Sequence, residues 1–257
     1  MSNLNREEEA VLLSWARDIC VELSVSQINL FGIYLDELCE WNRRMNLTGL
    51  TSRVAIIRDL LIDSLFPARF LPEEGWLLDV GSGAGFPAIP LKICKPKLRV
   101  HLVEASLKKV SFLKQVIRRA NLGRTEVIRG RIEADGNLLN KEGYNIITAR
   151  ALAHLPKTLT WCAPYLNPGG LFINFQGSRF ENALREGRDV LKKHRIFLYR
   201  AIPYKLPGKD SERHLLIFKK NEREEQFPDM KGRNNFRILF LPDDIPSIVA
   251  INMPKNV

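Results

Sequence analysis

Apolar residues recur at helical spacing in three stretches near the start of the chain, residues 9–21, 28–41 and 54–65, so that residues 5–70 read as helical. Between the second and third stretches, Asn46-Leu47-Thr48-Gly49 predicts a loop from its Asn, Thr and Gly content. After Pro72 the rhythm changes. Short β-type runs at 76–80, 99–104, 126–129, 145–149 and 171–175 alternate with helical patterns at 90–95, 108–120, 155–166 and 180–193. Alternation of this kind predicts a doubly wound, mostly parallel sheet. Two further runs, 195–201 and 214–218, follow with only a loop bearing Pro203, Pro207 and Gly208, which predicts a closing antiparallel hairpin. Residues 221–257 turn polar and acidic before apolar residues return at 236–241 and 245–253, and no role is read there. The expected division is an N-terminal helical cap (1–72), an α/β domain of seven strands (73–220) and a C-terminal extension (221–257).

Composition narrows the class without changing this outline. Hydrophobic residues make up 45% of the chain and charged residues 26%, the balance of an ordinary globular protein. The polar, acidic start and the lack of a long uncharged apolar run lead to the expectation of a cytoplasmic protein with no membrane contact. Lys and Arg number 39 against 29 Asp and Glu, a formal net charge of +10. Such an excess suits a nucleic acid, because each phosphate contacted releases condensed counterions, and it equally suits a merely basic enzyme. Cys20, Cys39, Cys94 and Cys162 form no CxxC pair, and the four histidines are as scattered. Buried free thiols and no metal site are expected.

The strongest chemical signal is Asp79-Val80-Gly81-Ser82-Gly83-Ala84-Gly85-Phe86-Pro87, a buried strand running into a glycine turn and then a helix. Glycines allow positive φ and close approach of a ligand to the backbone. The dinucleotide pattern GxGxxG fails because its third position is Phe86, and no GK[ST] follows to make a phosphate loop. The remaining pattern, D-x-G-x-G-x-G, suits a ligand without pyrophosphate. S-adenosylmethionine fits, with its methionine part along the amides around Gly81 and Gly83. Glu104 ends the next strand, where a carboxylate can accept from both ribose hydroxyls. Arg131-Ile132-Glu133 follows the third strand, where class I methyltransferases meet adenine; a plain strand-to-helix turn reads the same way. A seven-stranded sheet ending in a hairpin is also the architecture of that class.

The fourth strand ends in Thr148-Ala149-Arg150-Ala151, which is not the [DN]-P-P-[YF] of amino-group methylation, and no Pro-Cys dipeptide supplies a nucleophile for pyrimidine C5. An acceptor needing no deprotonation, such as guanine N7, is favoured. Transfer is then in-line displacement governed by proximity and orientation. Arg150 is the candidate catalytic positioning residue, with a donor for guanine O6; orienting a loop or pairing with Glu133 is its structural alternative.

Beyond these motifs, Trp41-Asn42, Asn46-Leu47-Thr48, Asp63-Ser64, the continuation Phe86-Pro87-Ala88-Ile89-Pro90-Leu91, Leu107-Lys108-Lys109-Val110-Ser111-Phe112-Leu113, Ala149-Arg150-Ala151 and Arg213-His214-Leu215 carry a more specific likeness. From about residue 30 to 220 the chain resembles the bacterial 16S ribosomal RNA guanine-N7 methyltransferases, also called glucose-inhibited division protein B. The resemblance implies the class I Rossmann-like fold and S-adenosylmethionine as cofactor. It also implies, as substrate and partner, one guanosine of 16S rRNA near the decoding centre of the small ribosomal subunit. By position, the family's cofactor contacts fall on Gly81, Phe86, Ile132, Glu133 and Arg150. Asn46, Arg213 and His214 are candidate substrate contacts, although Asn46, like Trp41 and Thr48, also suits a purely structural turn, and His214 a satisfied surface histidine. Lys108, Lys109, Lys114, Arg118 and Arg119 read as a solvated helix face or, with Arg124, Arg129 and Arg131, as an RNA patch. A monomer is expected. Two departures stand out: Asp59-Leu60 where the family usually has a basic residue and histidine, and Gln176 where it often has lysine. They leave room for another acceptor within the same fold, or for an RNA-binding assembly protein that keeps the pocket without turnover.

Overall fold

The structure is a computed structural model that describes residues 4–177 and 180–222. Two capped helices open it. In α1 (Arg6–Asp18) the Asn5 side chain accepts from the Glu8 amide while the Glu8 carboxylate accepts from the Asn5 amide, and Ser24 and Gln27 repeat the exchange at the start of α2 (Val25–Met45). Amides that a first turn leaves unpaired are thereby satisfied. α2 stops at Asn46, whose φ of 49° is left-handed, a conformation asparagine tolerates better than most residues. The apolar run expected as one helix over 54–65 is interrupted. α3 (Arg53–Ile56) passes into a π-helical turn, Ile57–Ile62, and ends as α4 (Asp63–Leu65). A π turn carries an extra residue and so shifts which later side chains face inward.

A short 3₁₀ turn, Phe66–Phe70, leads to the sheet. Its strands are β1 (Gly75–Val80), β2 (Leu98–Glu104), β3 (Thr125–Arg129), β4 (Tyr144–Ala149), β5 (Leu166–Gly177), β6 (Ile196–Lys205) and β7 (Glu212–Lys220), in the order β3-β2-β1-β4-β5-β7-β6. The first five are parallel, and β7 runs against both β5 and β6. The crossovers carry α5 (Ala88–Cys94), α6 (Leu107–Arg119), α7 (Ile132–Asp135), α8 (Leu155–Cys162), α9 (Glu181–Glu186) and α10 (Arg188–Lys193). Gly187 separates the last two where one helix over 180–193 was expected, and the run at 155–166 leaves the α-helix at Cys162 for a 3₁₀ turn.

Alternate strand residues serve two cores. Leu77, Ile146, Ile173, Leu215 and Ile217 pack with Leu12, Phe31, Tyr34, Leu38, Ile89 and Leu113 from α1, α2, α5 and α6. Leu78, Val80, Ile147, Phe172, Leu216 and Phe218 pack with Leu155, Leu159 and Leu184 on the other face. Each fully buried Leu or Phe contributes about 1.5–3 kcal/mol, so the N-terminal helices are tied to the sheet by a shared core. Gln27 strengthens the join by donating to the Ile93 and Cys94 carbonyls. Among the described residues no helix is long and apolar enough to cross a membrane. The apolar runs at 236–241 and 245–253 lie outside the described residues.

Candidate active site

The five parallel strands end at one edge of the sheet. β1 runs there into the glycine turn, β2 ends in Glu104, β3 leads to Ile132 and Glu133, and β4 leads to Arg150. β7 begins at the same edge, with Arg213 opposite Gly177 and His214 opposite Gln176 of β5.

Gly81, Gly83 and Gly85 all have positive φ, at 71°, 57° and 92°. A Cβ on Gly81 would stand 2.6 Å from Leu152 Cδ1, and one on Gly85 would stand 2.6 Å from Ile89 Cγ1 and 3.2 Å from the Tyr34 hydroxyl. The turn therefore needs glycine for conformation and for space. Glu104 ties it to β2: Oε2 accepts from the Gly83 amide and Oε1 from the Ser106 amide, both at 2.8 Å. Each oxygen keeps a lone pair for another donor. From beneath, Tyr34 donates to the Ala84 carbonyl at 2.5 Å, and its ring packs 5.4 Å from that of Phe86. Sequence reading missed Tyr34. Its signal was a tyrosine in the buried stripe of α2, where a hydroxyl must find an acceptor.

Asp79 lies under the turn, 1% exposed. Its Oδ1 accepts from the Thr148 hydroxyl at 2.6 Å, whereas Oδ2 is buried without a hydrogen-bond partner. Burial pushes its carboxyl up to about 6, against the stabilising hydrogen bonds of Thr148 and Ser82. Arg150 is within electrostatic range and lowers that value. Through Nη2 the Arg150 guanidinium reaches Asp63 Oδ2 at 3.0 Å and the Asp59 carbonyl at 3.1 Å, while Nη1 is buried and unpartnered. Pairing of Arg150 with Glu133 is not made: Glu133 is exposed, 3.9 Å from Arg131.

Asp63 is the hub that sequence reading missed. It is fully buried, accepts hydrogen bonds from Tyr204 at 2.6 Å and Arg213 at 3.1 Å, and pairs ionically with Arg150 at 3.0 Å. Burial, followed by the charge of Asp63, pushes the Tyr204 hydroxyl far above its ordinary range. A second polar chain supports the end of β4. Asn174 donates to the Ala149 carbonyl at 3.0 Å and accepts from Gln176 at 2.6 Å.

Ile132 is buried in the second core at the end of β3, and Phe86 in the first. Asn46 is an exposed helix end, and its neighbours shape a turn: Asn42 accepts from the Thr48 amide and donates to the Leu50 carbonyl. His214 is not brought to Asp63. Strand alternation turns it to the opposite face from Arg213, against Phe180 at 4.6 Å, with Nδ1 buried and unpartnered. On α6, Lys108, Lys114 and Arg118 are exposed, whereas Arg119 pairs with Glu37 of α2 at 3.3 Å. Among the described residues no cluster of His, Cys, Asp or Glu could hold a metal ion, and the cysteines are free.

The reversed last strand of the sheet, the glycine turn after β1 and the carboxylate ending β2 define a class I S-adenosylmethionine-dependent methyltransferase. The fold is shared with the M. jannaschii TYW2 protein crystallised in complex with AdoMet, at a TM-score of 0.51 and 14% identity over 62% of this chain and 74% of that one. Residues 27–216 match the family described as GidB, rRNA small subunit methyltransferase G, and the chain belongs to that family. Among its relatives, the ribosomal RNA small subunit methyltransferase G of Alkaliphilus oremlandii is 32% identical over 231 residues, covering 88% of this chain and 97% of the relative. That of Chloroflexus aggregans is 39% identical over 214 residues, covering 82% and 90%.

Proposed function

We infer that this chain carries out 16S rRNA methylation at N7 of a guanine, and that the edge of the sheet described above holds both reactants. One observation carries the assignment of the site. Asp79 Oδ2 and Arg150 Nη1 are buried polar atoms of opposite charge, both unpartnered and within electrostatic range of one another. Buried polar groups are almost always hydrogen-bonded, so such a pair marks a place for a ligand with complementary charges. The ammonium and carboxylate of an amino acid are that complement, and S-adenosylmethionine ends in one. Gly81 and Gly83 leave room for it along the turn, Glu104 offers free lone pairs to a ribose diol, and Ile132 and Glu133 stand where the adenine would be covered.

When bound, S-adenosylmethionine supplies a methyl group activated by a sulfonium. The residues orient the acceptor. Guanine N7 has its lone pair in the base plane, so no residue need remove a proton, and placement governs the rate. Arg213 shares the Asp63 carboxylate with Arg150, and its side chain is the more exposed of the two, 35% against 18%. With Arg150 engaged by the cofactor's carboxylate, Arg213 is the donor free to meet O6, where charge develops on the base. Asn46 and His214 stand apart from this cluster and have no role in the scheme.

The test is methyl transfer from labelled S-adenosylmethionine to small ribosomal subunits lacking their own methylation, with the nucleosides of the product identified by mass. N7-methylguanosine at a single position, lost in Arg150→Ala, supports the assignment. Cofactor binding without transfer, to subunits or to free RNA, refutes it.

A further inference from the structure

Away from the cleft, two arginines converge on one ring. Arg69, in the 3₁₀ turn after Asp63, holds its guanidinium carbon 4.6 Å from the centroid of Phe70 and 5.4 Å from that of Phe66. Arg200 comes from β6 to the same Phe70 at 5.8 Å, and to Tyr199 at 5.2 Å. The β6–β7 register shifts between Leu198 and Arg200, which leaves Tyr199 as an extra residue. Such bulges re-aim side chains, and here Tyr199 packs against the same core as Phe70.

Among the described residues no carboxylate lies within ion-pair distance of Arg69 or Arg200, and Arg69 Nε is buried with no hydrogen-bond partner. Nearby cations are answered. Arg53 is met by Glu8 and Asp36, Arg58 by Asp59, and Arg150 and Arg213 by Asp63. Two like charges over one ring repel, and aromatic faces accept no strong N–H hydrogen bonds. A guanidinium fork is matched by paired oxygens of a phosphate or carboxylate.

We propose that Arg69, Phe70 and Arg200 form a docking site for a backbone phosphate of the substrate RNA beside the target nucleotide. The proposal rests on the rRNA reading above. Phosphate is favoured by the pair of uncompensated cations and by continuity with the active site. Phe66 stacks on Tyr204 at 4.2 Å, and the Tyr204 hydroxyl is bonded to Asp63. Tyr204 lies opposite Arg213 in the sheet, and from Tyr204 back to Arg200 the strand spans about 13 Å at the usual rise. A strand of RNA leaving the cleft past Tyr204 along β6 reaches the two arginines.

The decisive variant is Arg200→Ala in the full chain, because Arg69 also covers two phenylalanines and its loss could unsettle the fold. With unmethylated small subunits, KM should rise roughly tenfold, the effect of losing a charged hydrogen bond, with kcat and S-adenosylmethionine affinity unchanged. The slope of log affinity for a 16S rRNA fragment against log salt should fall by about 0.7–0.9, the value of one phosphate contact. Arg200→Lys should restore most of the slope. An unchanged KM and slope in Arg200→Ala would overturn the proposal. If the wild-type protein transferred no methyl group, the rRNA reading would fail on that count alone, while the salt slope would still report on the docking site.

Discussion

Asp63→Asn probes the linchpin of the site while changing almost no volume. In the wild type, one fully buried carboxylate accepts from Tyr204 on one oxygen and, on the other, accepts from Arg213 and pairs ionically with Arg150. Asparagine can keep its carbonyl toward the arginines and turn its amide to the tyrosine oxygen, which is able to accept. The hydrogen-bond count then survives, and the anion between two cations is lost. Breaking a fully buried pair costs about 3–5 kcal/mol. The Arg150 and Arg213 side chains are 18% and 35% exposed, so water relieves part of this, and about 2–3 kcal/mol is the expected loss. For a domain of this size, that lowers Tm by about 4–12 °C.

The catalytic effect should be larger than the stability effect implies. Without its anchor the Arg150 guanidinium is free to swing, and a displacement of about 1 Å at a positioning group costs about a hundredfold in rate. The assay is thermal unfolding alongside methyl transfer to small subunits, run well below the variant's Tm. In a cycle of Asp63→Asn and Arg150→Ala, the double variant should be scarcely slower than the worse single one, because the two residues act as a unit. An Asp63→Asn protein with kcat/KM within threefold of wild type would refute the reasoning. So would strictly additive losses in the cycle.

Other substitutions and conditions read separate parts of the site. The Asp79 carboxyl, raised by burial to about 6, binds a proton in the free protein below that pH, and a cofactor ammonium must displace it. S-adenosylmethionine affinity should therefore rise between about pH 5 and 7 and level off above, and isothermal titration should find this dependence abolished in Asp79→Asn. Gly85→Ala places a methyl 2.6 Å from Ile89 at positive φ. It should lower Tm by several degrees in a melt without cofactor, as a strained, overpacked turn costs about 1–3 kcal/mol. Glu104→Gln loses one of two acceptors for the Gly83 and Ser106 amides. It should weaken cofactor binding roughly tenfold or more while leaving KM for the subunit unchanged at saturating cofactor. An unchanged Kd would remove Glu104 from the cofactor site.

What was legible in the sequence was whatever a local pattern can encode. The seven strands and their order of appearance followed from short β-type runs alternating with helical ones, and the glycine turn followed from residues adjacent in the chain. Asp63 was not legible as a hub, since its partners sit just after β4 and on β6 and β7 and are assembled only by the closed sheet. One trace existed: a carboxylate between Ile62 and Leu65, inside an apolar helical run, is on the buried side and must be compensated. The π turn at Ile57–Ile62 blurred that trace, because an extra residue breaks the period by which faces are assigned. Arg150 was placed at the right edge, but its partner was expected from a nearby strand end and came from the N-terminal helices. The Gly187 break and the full length of β5 depend on packing that composition does not express.

The two departures from the family pattern acquire physical content from this arrangement. Position 59 serves Arg150 through its backbone carbonyl, which any residue supplies. The Asp59 side chain turns away to Arg58, in a bidentate pair, and toward Lys209 at 3.9 Å. The Arg58 hydrogen bond holds the Asp59 carboxyl below its ordinary range, so it remains an anion whose charge is spent on those cations and adds little repulsion toward RNA. Gln176, in place of a lysine, donates to Asn174, which in turn holds the Ala149 carbonyl at the foot of Arg150. A lysine could donate to the same oxygen but would bring a charge to the cleft. The chain thus lacks the family's cations at positions 59 and 176 and gains a neutral brace beneath Arg150, while Arg69 and Arg200, which meet no carboxylate among the described residues, supply positive charge elsewhere.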